Sequence, residues 1–194
     1  MKLVVATGNA GKLVEMREIL DGLDLTLLSL ADAGLGSPEE TGTTFADNAD
    51  LKARAAAESG LWALGDDSGL CVDALDGGPG VLSARYAPTD AERRAKLLAA
   101  LSGARREAHF FCAVSLASPD GRLFRAEGRV DGRIVEAARG SNGFGYDPIF
   151  EPLETPGQTL AELPSAEKNR LSHRGRALLR LRPKLLRLAR AGDL

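Results

Sequence analysis

The stretch Gly65-Asp66-Asp67-Ser68-Gly69-Leu70 sets two adjacent carboxylates and a hydroxyl between glycines, directly after the apolar run Leu61-Trp62-Ala63-Leu64. Neighbouring carboxylates repel each other and keep their charge cheaply only where a cation is close. Oxygen-only donors of this kind suit Mg2+ or Mn2+ and not zinc. The plainer alternative is an Asx-rich turn that binds nothing. An apolar run ending in Gly-Asp-Asp-Ser-Gly predicts a strand that stops at a tight turn, and the C-terminal ends of strands are where α/β proteins place ligand chemistry. Adjacent strand residues face opposite ways, so Asp66 and Asp67 serve one site only if that turn bends between them.

Three further stretches could work with the carboxylates. Thr7-Gly8-Asn9-Ala10-Gly11-Lys12 follows the short apolar run Leu3-Val4-Val5-Ala6 and precedes a helix-patterned segment, residues 13–20. A loop of this kind presents backbone N–H groups, and the helix start favours an anion. It is not a nucleotide-binding P-loop, which needs four residues between its glycines and Ser or Thr after the lysine; here two residues separate Gly8 from Gly11, and Leu13 follows Lys12. It is either another phosphate loop or a turn with a surface lysine. Asn48 and Lys52 fall on one face of a helix expected over 45–59, capped by Thr43 or Thr44 with Asp47 in its first turn; such a face either meets a ligand or shows itself to solvent. Ser141-Asn142-Gly143-Phe144-Gly145-Tyr146-Asp147-Pro148 puts two aromatics in one glycine-shaped loop, in a chain only 5% aromatic. Phe144 between glycines can stack on a base, or both rings can plug the core.

The elements that must position these groups follow from pattern. Strands are expected at 25–30, 108–117 and 122–130, the last two joined by the hairpin turn Pro119-Asp120-Gly121, with a further short strand at 133–135 across Asp131-Gly132. Thr89-Asp90-Ala91-Glu92 has the form of a helix start, and that helix runs to about Leu101. Ser172-His173-Arg174-Gly175 opens a terminal helix with Ala177, Leu178, Leu181, Leu185 and Leu188 at helical spacing, which Pro183 should kink or reset. Its arginines suit either a membrane surface or the solvated face of a docked helix. The chain has 194 residues and a net charge of -2, which argues against a general nucleic-acid-coating role. Cys71 and Cys112 lie in apolar stretches without metal-ligand spacing and are expected as buried free thiols. Residues 3–6 are too short for a signal sequence, and the apolar run at 110–117 is too short to span a bilayer; the expectation is a cytoplasmic protein of one domain, 1–194, without a membrane or nucleic-acid partner.

Taken together and in order, these stretches resemble the inosine/xanthosine triphosphate pyrophosphatase family, the Ham1-like dITP/XTP pyrophosphatases that hydrolyse non-standard purine nucleoside triphosphates to the monophosphate and pyrophosphate and so cleanse the nucleotide pool. The resemblance runs from Leu3 to about Leu181. It rests on Thr7-Gly8-Asn9-Ala10-Gly11-Lys12, Glu40-Thr41-Gly42-Thr43-Thr44-Phe45, Asn48-Ala49-Asp50-Leu51-Lys52-Ala53, Asp66-Asp67-Ser68-Gly69-Leu70, Pro79-Gly80-Val81, Ser83-Ala84-Arg85-Tyr86, Gly143-Phe144-Gly145-Tyr146-Asp147-Pro148 and Ser172-His173-Arg174-Gly175. It implies an α/β, two-lobed fold around a long mixed sheet, with the nucleotide in a cleft between lobes, and a homodimer. It implies that Thr7, Gly8, Asn9, Ala10, Gly11 and Lys12 hold the triphosphate, that Lys52 lies along the phosphates and that Ser68 contacts substrate. Glu40 and Asp67 would bind Mg2+, with Mn2+ as the alternative ion, and Asp67 would accept the proton. Phe144 would stack on the base with Gly145, Tyr146 and Asp147 completing that wall, and Lys168, His173 and Arg174 would line the base and sugar end.

Rival readings are a related Maf-like pyrophosphatase with a different base pocket, and a nucleotide-binding regulatory module without turnover. Lys12, Glu40, Lys52 and Asp67 together argue against the second, since binding alone does not need an acidic metal pair. Phosphoaspartate phosphatase chemistry is excluded because its two aspartates are separated by one residue, whereas Asp66 and Asp67 are adjacent.

Overall fold

In the computed structural model of the protein, which describes residues 2–192, six strands form one sheet in the order β2-β1-β3-β4-β5-β6. The strands are β1 (Lys2–Ala6), β2 (Thr26–Ser29), β3 (Trp62–Val72), β4 (Glu107–Ala117), β5 (Leu123–Ile134) and β6 (Phe150–Pro152). The sheet is mixed: β1 pairs in parallel with both β2 and β3, while β6 runs antiparallel to β5. The helices are α1 (Ala10–Ile19), α2 (Phe45–Ala57), α3 (Asp90–Ala100), α4 (Ser165–Leu171) and α5 (His173–Ala191). Among the described residues no helix is long and apolar enough to cross a membrane.

The chain divides into two compact units, one from Met1–Asp67, Cys112–Gly128 and Arg174–Leu194, the other from Ser68–Phe111 and Arg129–His173. Each has its own core. In unit one the strand residues alternate between two apolar layers. Leu3 and Val5 of β1, Trp62 and Leu64 of β3 and Cys112, Val114 and Leu116 of β4 share a layer with Met16 and Leu20 from the α1 segment and with Leu178, Leu181 and Leu185 of α5. Val4, Ala6 and Ala63 face the other way, onto Ala53, Ala56 and Ala57 of α2. In unit two, Leu70, Val72, Phe110, Val130 and Ile134 pack with Leu97 and Leu101 from the α3 segment, and with Tyr146 and Phe150.

The starts at Thr44 and Thr89 are built as the sequence indicates, whereas α1 begins at Ala10, ahead of the expected 13–20, so the second half of the Thr7–Lys12 stretch is helical. Asn9 caps α1 by accepting the Lys12 N–H at 3.1 Å. Thr44 with Asp47, and Thr89 with Glu92, make reciprocal capping boxes on α2 and α3. The hairpin at Pro119-Asp120-Gly121 is present, with Gly121 at φ +92°.

Two expectations are corrected. No turn interrupts Gly65-Asp66-Asp67-Ser68-Gly69: β3 runs straight through it for 11 residues. Gly65 here serves close packing, because a Cβ on it would lie 2.2 Å from the Ala49 carbonyl and 2.7 Å from the Ala53 nitrogen of α2. Likewise Asp131-Gly132 does not separate two strands; β5 continues to Ile134, since Gly132 lets the Phe150 ring and the Glu151 carbonyl of β6 approach. Pro183 lies inside α5, which continues past it to Ala191.

Candidate active site

The parallel register explains how unit one assembles its polar cluster. Ala6, the last residue of β1, pairs with Gly65, so β1 ends just where β3 reaches its aspartates. The loop Thr7-Gly8-Asn9 and the first turn of α1 therefore stand beside Asp66. Because β3 stays extended, the alternation that puts Trp62 and Leu64 in one layer and Ala63 in the other carries on: Asp66 continues the first face and Asp67 the second.

Asp66 is completely enclosed by donors. Lys12 Nζ reaches Oδ1, Arg174 Nε donates to Oδ2 at 2.9 Å, and the Cys112 thiol donates to the same oxygen at 3.1 Å. Arg174 is itself shared, donating through Nη1 to Glu15 of α1 at 2.5 Å. Burial alone would raise the Asp66 pKa; Arg174 and Lys12 outweigh it and hold this carboxyl well below the usual range. The same enclosure lifts the Cys112 thiol well above its ordinary value, chiefly through burial and then through Asp66.

Asp67 meets α2. Lys52 Nζ donates to Asp67 Oδ1 at 3.0 Å and to Glu40 Oε1 at 2.7 Å, and Asn48 Nδ2 donates to Asp67 Oδ2 at 3.3 Å. Asn48 and Lys52 are 1% and 4% exposed, so this helix face is turned inward and not to solvent. Two glycines permit it. Gly65 lets α2 sit against β3, and Gly42, whose N–H donates to Asn48 Oδ1 at 2.8 Å, has no room for a Cβ beside Asp47 and Asn48. Burial raises the Lys52 cost of charge, yet Asp67 and the Glu40 hydrogen bond more than offset it, and its pKa stands above the ordinary lysine value. Burial raises the Asp67 pKa, and Lys52 and Lys12 only partly oppose it.

Glu40 and Asp67 thus converge on one ammonium. That is the donor set of a hard divalent cation held through one or two carboxylates, with the remaining positions filled by water or phosphate oxygens. No group of three or more metal-binding side chains of the His, Cys, Asp and Glu type exists among the described residues, so an all-protein cage is not built here, and a two-carboxylate Mg2+ site fits the residues present.

Unit two carries the aromatic loop. Phe144 is half-buried, with Lys168 Nζ 5.1 Å from its ring centre. Its N–H donates to Asp147 Oδ2 at 2.9 Å, and Lys168 Nζ donates to the same oxygen at 2.5 Å. Gly143 must be glycine: its φ is +73°, and a Cβ would strike Asp147 Oδ2 and Lys168 Nζ. Tyr146 instead belongs to the core, its hydroxyl donating to the Ser83 carbonyl at 3.0 Å. His173 is 5% exposed and lies flat on Phe110, ring centres 4.6 Å apart.

The expected residues are distributed over the two units. Thr7, Gly8, Asn9, Ala10, Gly11, Lys12, Glu40, Lys52 and Asp67 belong to unit one, and Ser68, Phe144, Gly145, Tyr146, Asp147, Lys168 and His173 to unit two. Arg174 belongs to unit one, buried against Asp66 and Glu15. Glu15 and Cys112 join the cluster without having been anticipated. The available signals were slight: a carboxylate one turn after Lys12, and a thiol within an otherwise apolar strand.

The fold and these clusters define an α/β protein with an acidic, lysine-bridged centre. The chain belongs to the Ham1 family, whose model matches residues 3–184. It is 53% identical over 186 residues to the dITP/XTP pyrophosphatase of Parasynechococcus marenigrum, covering 94% of each chain. It is also 53% identical over 184 residues to the dITP/XTP pyrophosphatase of Thermus thermophilus, covering 92% of this chain and 88% of that one. Among solved structures, a HAM1 protein from Coxiella burnetii superposes with a TM-score of 0.85 at 43% identity, covering 96% of this chain and 99% of that one.

Proposed function

We infer that the protein is a pyrophosphatase for non-standard purine nucleoside triphosphates such as ITP, dITP and XTP, releasing the monophosphate and pyrophosphate and keeping those nucleotides out of nucleic acid. The observation that carries this reading is the Lys52 ammonium shared by Glu40 and Asp67, in a chain half identical to enzymes named for that substrate class.

Water attacks the phosphorus that links the nucleoside to the pyrophosphate; the P–O bond to pyrophosphate breaks, and the water's proton passes to Asp67. Asn48 and Lys52 hold the two Asp67 oxygens in place, and the proton reaches this carboxylate through a bridging water. Lys52, held charged by its neighbours, balances the charge that builds on the phosphate oxygens, as do the N–H groups at the start of α1. Glu40 and Asp67 would hold a Mg2+ ion, with Mn2+ as an alternative, which supplies charge neutralisation at the phosphates. Phe144 stacks on the purine, and Lys168, itself fixed by Asp147, faces the base as a donor. A donor suits the C6 carbonyl of inosine and xanthosine and leaves a mismatch against the amino group of adenosine. The working form is a cytoplasmic homodimer without a nucleic-acid or membrane partner.

The test is pyrophosphate release from ITP, XTP, dITP, GTP and ATP, with Mg2+ and with EDTA. Metal-dependent turnover of the first three far above GTP and ATP is expected. Binding of ITP without turnover of any of them would make the chain a nucleotide sensor instead.

A further inference from the structure

The loop that carries Phe144 is fastened from outside by α3. The Gly145 N–H donates to Asp90 Oδ2 at 2.8 Å, and the Gly145 carbonyl accepts from Arg94 Nη1 at 2.7 Å. Asp90 and Arg94 stand four apart on α3 and so share a face. At that spacing an acid and a base on a helix commonly satisfy each other; here each takes one end of the same residue's backbone. Gly145 sits at φ +61°, with no Cβ to hold it by packing.

The clamp is itself braced. The second Asp90 oxygen accepts from Arg93 Nη1 at 2.8 Å, while Arg93 Nε donates to the Ala87 carbonyl at 2.8 Å and Nη2 to that of Pro88 at 3.3 Å. The Thr89–Glu92 capping box fixes where α3 begins, and Leu97 ties the helix into the unit-two core beside Tyr146. Thr89 already caps the helix, so Asp90 is not needed for that task, and its carboxylate is committed to Gly145 and Arg93.

We propose that Asp90 and Arg94 are positioning residues for the base end of the nucleotide: by gripping Gly145 on both sides they fix the two peptide planes that follow Phe144, Asp90 the Phe144–Gly145 plane and Arg94 the Gly145–Tyr146 plane, and with them the pose of the stacking ring. This rests on the base-stacking role given to Phe144 above. Neither side chain touches substrate. Rigid supports of this kind stabilise a bound ligand by sparing it the ordering of the loop.

The test compares Asp90→Ala, Arg94→Ala and the double variant with Asp90→Asn and Arg94→Lys, in the full-length chain with Mg2+. Steady-state kinetics with ITP are set beside inhibition by inorganic triphosphate, which carries the phosphates and no base. The alanine variants are expected to raise KM for ITP roughly tenfold, with kcat changed less than about threefold and the triphosphate inhibition constant unmoved. Asp90→Asn and Arg94→Lys, which keep an acceptor and a donor, are expected to recover most of the KM. Unchanged KM in the double variant overturns the proposal, as does an equal loss for ITP and triphosphate, which marks general damage to the fold. If unaltered protein does not turn over ITP, the proposed function fails first; the clamp is then judged by equilibrium binding of ITP to the same variants.

Discussion

Asp66 and Asp67 are adjacent in the chain and differ in almost everything else. Asp66 is a fully buried anion paired with Lys12 and Arg174; Asp67 meets α2 and bears the chemistry proposed above. Asp67→Asn is therefore expected to cut kcat by roughly a thousandfold while leaving thermal unfolding close to that of the unaltered protein, since it removes a charge that burial disfavours. Asp66→Asn is expected to destabilise the fold by about 3–5 kcal/mol, because it strands buried cations without their counter-charge. Equal activity losses at equal stability would remove the ranking. Lys52→Met should be as damaging as Asp67→Asn in turnover, since it leaves Glu40 and Asp67 repelling each other across the site; the same pyrophosphate assay decides it.

At the scale of elements, the site depends on how closely α2 can approach β3. A methyl group on Gly65 would collide with backbone atoms of Ala49 and Ala53, which cannot step aside as a flexible side chain could. Gly65→Ala should cost about 1–3 kcal/mol by overpacking and should lower kcat as well, by shifting Lys52 away from Asp67; denaturant melts and kinetics on one preparation test both. Gly143→Ala acts on the other cluster. Its strain falls on the Asp147–Lys168 pair, so the expected effect is a higher KM for ITP and a smaller change in kcat. An effect on kcat alone would detach Phe144 and Lys168 from base binding.

For the whole molecule, the Asp66 cluster sets the acid limit of stability. The folded pKa of Asp66 lies well below the unfolded carboxylate value of about 3.9. Its contribution is thus fully present above that unfolded value, and it is lost as pH falls through the folded one, where the unfolded chain binds the extra proton. Asp67 works in the opposite sense, its raised pKa costing stability as pH rises through it. Denaturant melts from pH 7 down to about pH 2 should show the unaltered protein losing stability only below about pH 4, with Asp66→Asn lying below it at neutral pH and the gap narrowing as the pH falls further. Parallel curves would place the acid sensitivity elsewhere.

Local features were legible in the sequence because their causes are local. Thr44 and Thr89 cap helices through hydrogen bonds to residues three positions on, and the order of short polar stretches identified the family. The sequence alone also placed Asn48 and Lys52 on one helix face, but it could not turn that face inward; the decision lies in Gly42 and Gly65, which bring α2 against the chain. Glycine after an apolar run suggested a turn at 65–70, yet β3, flanked in the sheet by β4 beyond the end of β1, stays extended, and extension sends Asp66 and Asp67 to opposite faces. Only the tertiary structure joins Asp66 to Arg174 and Arg174 to Glu15, partners 108 and 159 positions apart. Pairing at such separations leaves no periodic or local trace, because a buried charge chooses its counter-charge by where the sheet and its helices deliver it.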